Sequence, residues 1–142
     1  MEKYKIGYTQ GVYDMFHIGH LNLLNNAKKY CDRLVVGVNS DRLVEAYKNK
    51  TTVIDENSRQ YIVGNIKAVD ECIVADTLDK IEMHKKIGFD VIFIGDDWKG
   101  NSRWKQTELE MKKIGVSVIY LPHTSGISST ELRTVQNKKV GE

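Results

Sequence analysis

Two histidines three residues apart, His17 and His20, stand in the stretch Gln10-Gly11-Val12-Tyr13-Asp14-Met15-Phe16-His17-Ile18-Gly19-His20, directly after a short apolar run. A run of that kind reads as a strand, and the residues after His20 carry helical periodicity, so the imidazoles fall at a strand-to-helix turn. Such a helix start exposes unpaired backbone N–H groups and the positive end of the helix dipole, both of which favour an anion. Two imidazole donors add to that preference, and Gly19 lets a ligand come close to the backbone. Asp14, His17 and His20 are also competent metal ligands at a spacing of three. Neither an HExxH nor a Cys/His pair elsewhere completes such a site, so an anion is the favoured occupant.

A second polar segment, His123-Thr124-Ser125-Gly126-Ile127-Ser128-Ser129-Thr130-Glu131, follows the last apolar run. Ser128 and Glu131 form a capping box, which predicts a helix from Ser128 with its N–H groups and neighbouring hydroxyls exposed. Two helix N-termini facing one crevice suit a polyphosphate lying between them. Other phosphate motifs are absent. Gly95 to Gly100 has the glycine spacing of a P-loop, but Asn101-Ser102 stands where a Lys-Ser/Thr pair would hold phosphate, and no GxGxxG follows a strand.

The elements that must position these groups alternate along the chain. Lys5 to Thr9, Leu34 to Val38, Cys72 to Ala75, Val91 to Gly95 and Val116 to Leu121 read as strands. Leu21, Leu24, Ala27 and Cys31 share one helix face, and Asp41 to Tyr47, Ser58 to Ala68, Asp79 to Ile87 and Asn101 to Ile114 are further helices. Strands that are apolar on both faces and separated by helices predict an α/β fold with a doubly wound parallel sheet of about five strands covered on both sides. Ligands of such sheets bind at the strand carboxyl ends. The segments to watch are therefore Gln10 to His20, Asn39 to Lys50, Gly95 to Asn101 and His123 to Thr130.

Composition narrows the partner. The chain has 142 residues and 21 Lys+Arg against 19 Asp+Glu, a net charge of +2, which argues for no nucleic-acid or membrane partner and for a small ligand. One domain over 1–142, placed in the cytoplasm, is the expectation, with neither a signal segment nor a membrane span. Cys31 and Cys72 lack metal-site spacing and read as reduced thiols.

Taken with their order, the motifs resemble a known family. Gly11 to His20 resembles the HxGH signature of the nucleotidylyltransferases, and Thr124 to Thr130 resembles the second signature of their cytidylyltransferase branch, with Gly95-Asp96-Asp97-Trp98 between them. The resemblance implies a Rossmann-like five-stranded sheet, commonly in a homodimer. It further implies an enzyme that passes CMP from CTP to a small phosphorylated alcohol with release of pyrophosphate, magnesium arriving on the nucleotide phosphates. Glycerol 3-phosphate is the first expectation for the acceptor; phosphocholine or phosphoethanolamine, an adenylyl transfer from ATP, and a nucleotide-binding subunit without turnover are the alternatives. By the same resemblance His17, His20 and Lys48 are catalytic. Val12, Tyr13, Asp14 and Gly19 would bind the nucleotide, with Gly95, Asp97 and Trp98 and with His123, Thr124, Gly126, Ile127, Ser128, Ser129 and Thr130. Lys48 and Arg59 would meet the acceptor. The sequence departs from the family at His123 and Lys67, where arginine is usual, and a guanidinium fork is not reproduced by either residue. Arg133, Arg103 or Arg59 are the candidates to supply it.

Overall fold

The computed structural model describes residues 3–96 and 99–122. Its element order is β1 (Tyr4–Gly11), α1 (Ile18–Lys28), β2 (Cys31–Asn39), α2 (Asp41–Lys48), α3 (Glu56–Gly64), β3 (Glu71–Ala75), α4 (Lys80–Ile87), β4 (Val91–Gly95), α5 (Ser102–Lys113) and β5 (Ser117–Leu121). The strands form one five-stranded sheet in the order β3-β2-β1-β4-β5, with every neighbouring pair parallel. This is the expected Rossmann-like, doubly wound α/β arrangement, and the strand order reverses direction between β1 and β4.

Side-chain alternation divides the core into two layers. Leu34, Val36 and Val38 of β2 join Val91 and Phe93 of β4 on the face covered by Leu24 and Ala27 of α1 and Val63 of α3. Val35 and Ile92 point the other way, where Met83 of α4 and Trp104 and Met111 of α5 cover them. Because both faces are dry, the strands read as continuous apolar runs, which is what made them recognisable.

Helix starts are set by local caps. Ser40, Asp55 and Asp79 accept backbone N–H groups at the starts of α2, α3 and α4, and Asn101 does so for α5. Two expected boundaries move. Cys31, placed on the first helix by its spacing, is the first residue of β2: the helix closes at Lys28 and the backbone N–H of Tyr30 donates to the Ala27 carbonyl, so the apolar period runs across a tight turn. The third helix starts at Glu56 and ends at Gly64 instead of spanning Ser58 to Ala68, because Asp55 caps it early and Ile66 and Val69 already bond in turns. Cys31 is buried and Cys72 half-buried, both as free thiols.

Gly7 and Gly37 of the sheet are both sterically required, Gly7 because a Cβ there would press on Phe93 and Cys31. A Cβ on Gly37 would overlap the Tyr8 hydroxyl oxygen, and Tyr8 is fully buried against Phe89 at a ring separation of 5.0 Å.

Candidate active site

Past Tyr8 the central strands part. The β1–β4 ladder pairs Gly7 with Val91 and Tyr8 with Ile92, and beyond it the Thr9 hydroxyl donates to the Phe93 carbonyl at 3.1 Å. The opening above this point is a cleft of about 770 Å³ at the carboxyl ends of the strands, at the switch point of the sheet.

The turn from β1 to α1 forms its first wall. Tyr13 and Met15 hold φ of 55° and 51°, a left-handed conformation that side chains other than glycine seldom adopt and that costs roughly 1–3 kcal/mol per residue. The buried Asp14 between them fixes the turn, its carboxylate accepting the Val53 and Ile54 N–H groups at 2.8 and 2.9 Å. The result places His17 as the N-cap of α1.

The cap is unusual in its chemistry. His17 Nδ1 accepts the Gly19 N–H at 3.1 Å, while His20 Nδ1 accepts the His17 N–H at 3.2 Å, so imidazoles fill both roles of a capping box. The rings stack at 3.8 Å. A nitrogen that accepts carries no proton, so in each neutral ring the N–H sits on Nε2. Burial, reinforced by the neighbouring His17, lowers the His20 imidazole to about 4, which keeps it neutral near pH 7. Both rings line the cleft, as do Val12, Tyr13, Gly19 and Gly95.

The second wall comes from α2, α4 and α5. Lys48 and Lys50 reach the cleft from the end of α2, Lys48 Nζ standing 5.7 Å above the Tyr47 ring. Lys80, the first residue of α4, and Arg103 and Trp104 in the first turn of α5 complete it. Lys80 donates to the Leu78 carbonyl at 3.0 Å and lies over the Trp104 ring at 5.8 Å. Burial, aided by the Arg103 charge, lowers its ammonium to about 8.

Arg59 departs from its expected place at the acceptor. Its side chain is 0% exposed and does not line the cleft. Nε donates to the Ile54 carbonyl, Nη1 to the Val12 and Asn39 carbonyls, and Nη2 to Asp41 Oδ1 at 2.6 Å. The guanidinium is spent on backbone at three strand ends and loops, leaving no face for a ligand. Lys67 is exposed in the turn after α3 and also stands away from the cleft. Asp97, Trp98, the segment from His123 to Thr130 and Arg133 lie outside the described residues. Lys80 and Trp104 were not anticipated. For Lys80 the signal is the polar segment Asp76 to Lys80, which follows the third strand as the other four candidate segments follow theirs, and which reaches the site when the Thr77 carbonyl accepts from Gln10 Nε2.

The arrangement therefore offers imidazole N–H donors on one side and cations on the other, a combination suited to phosphate. Among the described residues no group of three His, Cys, Asp or Glu is arranged to hold a metal ion, and no helix is long and apolar enough to cross a membrane. The model of the cytidylyltransferase-like family matches residues 8–135. A glycerol-3-phosphate cytidylyltransferase of Bacillus spizizenii is 36% identical over 88% of this chain and 92% of its own length. An FAD synthase of Korarchaeum cryptofilum is 34% identical over 86% of this chain and 84% of its own. The bifunctional protein HldE of Hyphomonas neptunium is 33% identical over 90% of this chain, which spans only 26% of that protein. Among solved structures, the lipopolysaccharide core biosynthesis protein of Thermoplasma volcanium superposes with a TM-score of 0.72 at 28% identity, covering 85% of this chain and 97% of that one.

Proposed function

This chain belongs to the cytidylyltransferase-like family, and on that premise we propose that it transfers CMP from CTP to the phosphate of a small alcohol, glycerol 3-phosphate first, releasing pyrophosphate. The observation that supports the reading is the histidine capping box: it commits both Nδ1 atoms to the start of α1, so the proton of each neutral ring sits on Nε2, the nitrogen that would donate to the triphosphate.

In the proposed reaction an oxygen of the acceptor phosphate attacks the α-phosphorus of CTP, the bond from that phosphorus to the oxygen bridging toward the β-phosphate breaks, and pyrophosphate leaves in line. His17 and His20 stabilise the negative charge that grows on the oxygens around the α-phosphorus. Neutral donors suit this task because they are fixed before the reaction and need no reorganisation during it. Lys48 brings positive charge from the facing wall, between the two phosphates that must meet. Magnesium would be bound by the nucleotide phosphates and would neutralise part of their charge, which fits a wall made of lysines, imidazoles and backbone amides. The base would be held by residues following β4 and β5, including Asp97, Trp98 and the Thr124 to Thr130 segment. A homodimer belongs to the same proposal, supported by the exposed Tyr61 and Ile62 on the outer surface of α3, and light scattering measures its mass.

A second reading, adenylyl transfer from ATP, is favoured by the likeness to an FAD synthase. Pyrophosphate release measured with CTP and with ATP against glycerol 3-phosphate, phosphocholine and phosphoethanolamine decides between them. The expected result is fastest release with CTP and glycerol 3-phosphate; release with ATP alone would overturn the cytidylyl assignment.

A further inference from the structure

A chain of hydrogen bonds runs under the cleft, and its direction is fixed at one point. Gln10 Nε2 donates to the Thr77 carbonyl at 2.8 Å, and a carbonyl can only accept, so the amide nitrogen must lie on that side. Gln10 Oε1 therefore faces Tyr8, whose hydroxyl donates to it at 2.7 Å. The second N–H of Gln10 goes to Asn39 Oδ1 at 2.8 Å, which turns Asn39 Nδ2 toward Tyr47, where it donates to the hydroxyl oxygen at 2.9 Å. Every amide in the chain is thereby oriented. The Tyr47 oxygen is already an acceptor, so its own proton points onward, and Tyr47 lines the cleft.

The surroundings of that hydroxyl are donors and cations. Lys48 Nζ lies over the Tyr47 ring, and the Arg103 charge acts on both Tyr47 and Lys80. Among the described carboxylates at the rim, Asp79 accepts the Ile81 and Glu82 N–H groups and Glu110 accepts from Gln106. Among the described aromatic residues of the cleft, Trp104 is 7% exposed and the Lys80 ammonium lies over its ring. An alkylammonium head would need that face, or an open carboxylate, and would meet fixed positive charge instead.

Resting on the nucleotidyl-transfer reading, we propose that Tyr47 is the specificity-determining donor of the acceptor subsite, giving its hydroxyl proton to an oxygen of the acceptor. Together with Lys80 and Arg103 it selects oxygen-rich phosphorylated polyols or sugars over phosphorylated amino alcohols. The group it recognises is an oxygen with a free lone pair, a hydroxyl or a phosphate oxygen, and the discriminating element against the amino alcohols is repulsion by Lys80 and Arg103.

The test measures binding as well as turnover. Glycerol 3-phosphate and phosphocholine are titrated calorimetrically into the full chain held with a non-hydrolysable CTP analogue, then into Tyr47→Phe and Lys80→Met. Glycerol 3-phosphate should bind at least roughly 10-fold more tightly than phosphocholine, and Tyr47→Phe should weaken it by roughly 10- to 100-fold, the worth of a hydrogen bond to a charged or strongly polar group. Affinity for the CTP analogue should stay within about twofold in Tyr47→Phe, which separates loss of a ligand contact from general damage. Lys80→Met should narrow the gap between the two acceptors. Equal affinities in the parent protein, or an unchanged affinity in a folded Tyr47→Phe, would overturn the proposal. Selective acceptor binding with no pyrophosphate release from any triphosphate would instead sink the transfer reading and leave the role of Tyr47 in recognition standing.

Discussion

Asparagine at position 17 and glutamine at position 20 would preserve the cap while removing the imidazole donors. Asn is a favoured N-cap, and Gln fills the N3 place of a capping box, so His17→Asn and His20→Gln should melt within a few degrees of the parent. Their kcat should nevertheless fall by roughly 10² to 10³, the usual cost of losing one donor to a developing oxyanion. His17→Ala should lose the same activity and also about 1 kcal/mol of stability through the missing cap. Near-parental kcat in a folded His17→Asn would show that the ring serves the helix alone. His20 adds a pH dependence whose sign follows from its lowered value. The unfolded chain binds a proton at this ring near pH 6.5, the folded chain only near 4, so between those values unfolding takes up a proton. The contribution of His20 to stability is full above about pH 6.5 and is lost as pH falls toward 4. Urea titrations at pH 7, 5.5 and 4.5 should show a shallower acid loss for His20→Gln than for the parent, and parallel curves would contradict it.

The elements hold their site through contacts that link distant stretches of chain, and here the sequence is least readable. Arg59 joins Val12, Asn39 and Ile54 with Asp41, and no periodicity within α3 signals that its guanidinium turns inward; an arginine near a phosphate signature reads as a ligand contact until the loops are assembled. Arg59→Met should destabilise the protein by about 2–4 kcal/mol in denaturant unfolding, because it leaves three carbonyl groups without their donor and takes one partner from the part-exposed Asp41 carboxylate. A loss under about 1 kcal/mol would mean that water replaces the guanidinium freely. Gly37→Ala tests the sheet itself: its Cβ would press on the buried Tyr8 hydroxyl, so a loss of about 1–3 kcal/mol is expected together with weaker acceptor binding, since Tyr8 starts the chain that ends at Tyr47. The strands were legible because burial on both faces leaves a two-sided apolar run. The histidine turn was legible because its residues are contiguous. The end of the first helix was not, since the spacing that includes Cys31 continues unbroken through the turn at Lys29 and Tyr30. Lys80 was not legible because its segment reaches the cleft only where the Thr77 carbonyl, beyond β3, meets Gln10 of β1 across the intervening β2.

At the scale of the whole molecule, the cleft draws on both halves of the sheet. The β1–α1 turn gives His17 and His20, whereas the helices flanking β4 give Lys80 and Arg103, and they meet only because the strand order reverses between β1 and β4. A nucleotide bound there touches both halves of the folded chain and has no equivalent site in the unfolded one, so it must stabilise the native state. With magnesium present and CTP at about 100 times its dissociation constant, stability should rise by about 2.7 kcal/mol, and for a chain of this size each kcal/mol moves the melting temperature by roughly 2–4 °C. The comparison with ATP at equal concentration is the informative one. On the proposed reading both nucleotides would present the same triphosphate to the imidazole pair, so a difference in shift would isolate recognition of the base, which that reading assigns to residues after β4 and β5. CTP should give the larger shift, and His17→Asn should reduce the CTP and ATP shifts together while leaving their difference in place. A larger shift with ATP would move the assignment to adenylyl transfer, in line with the likeness to an FAD synthase, without disturbing the placement of the triphosphate over α1.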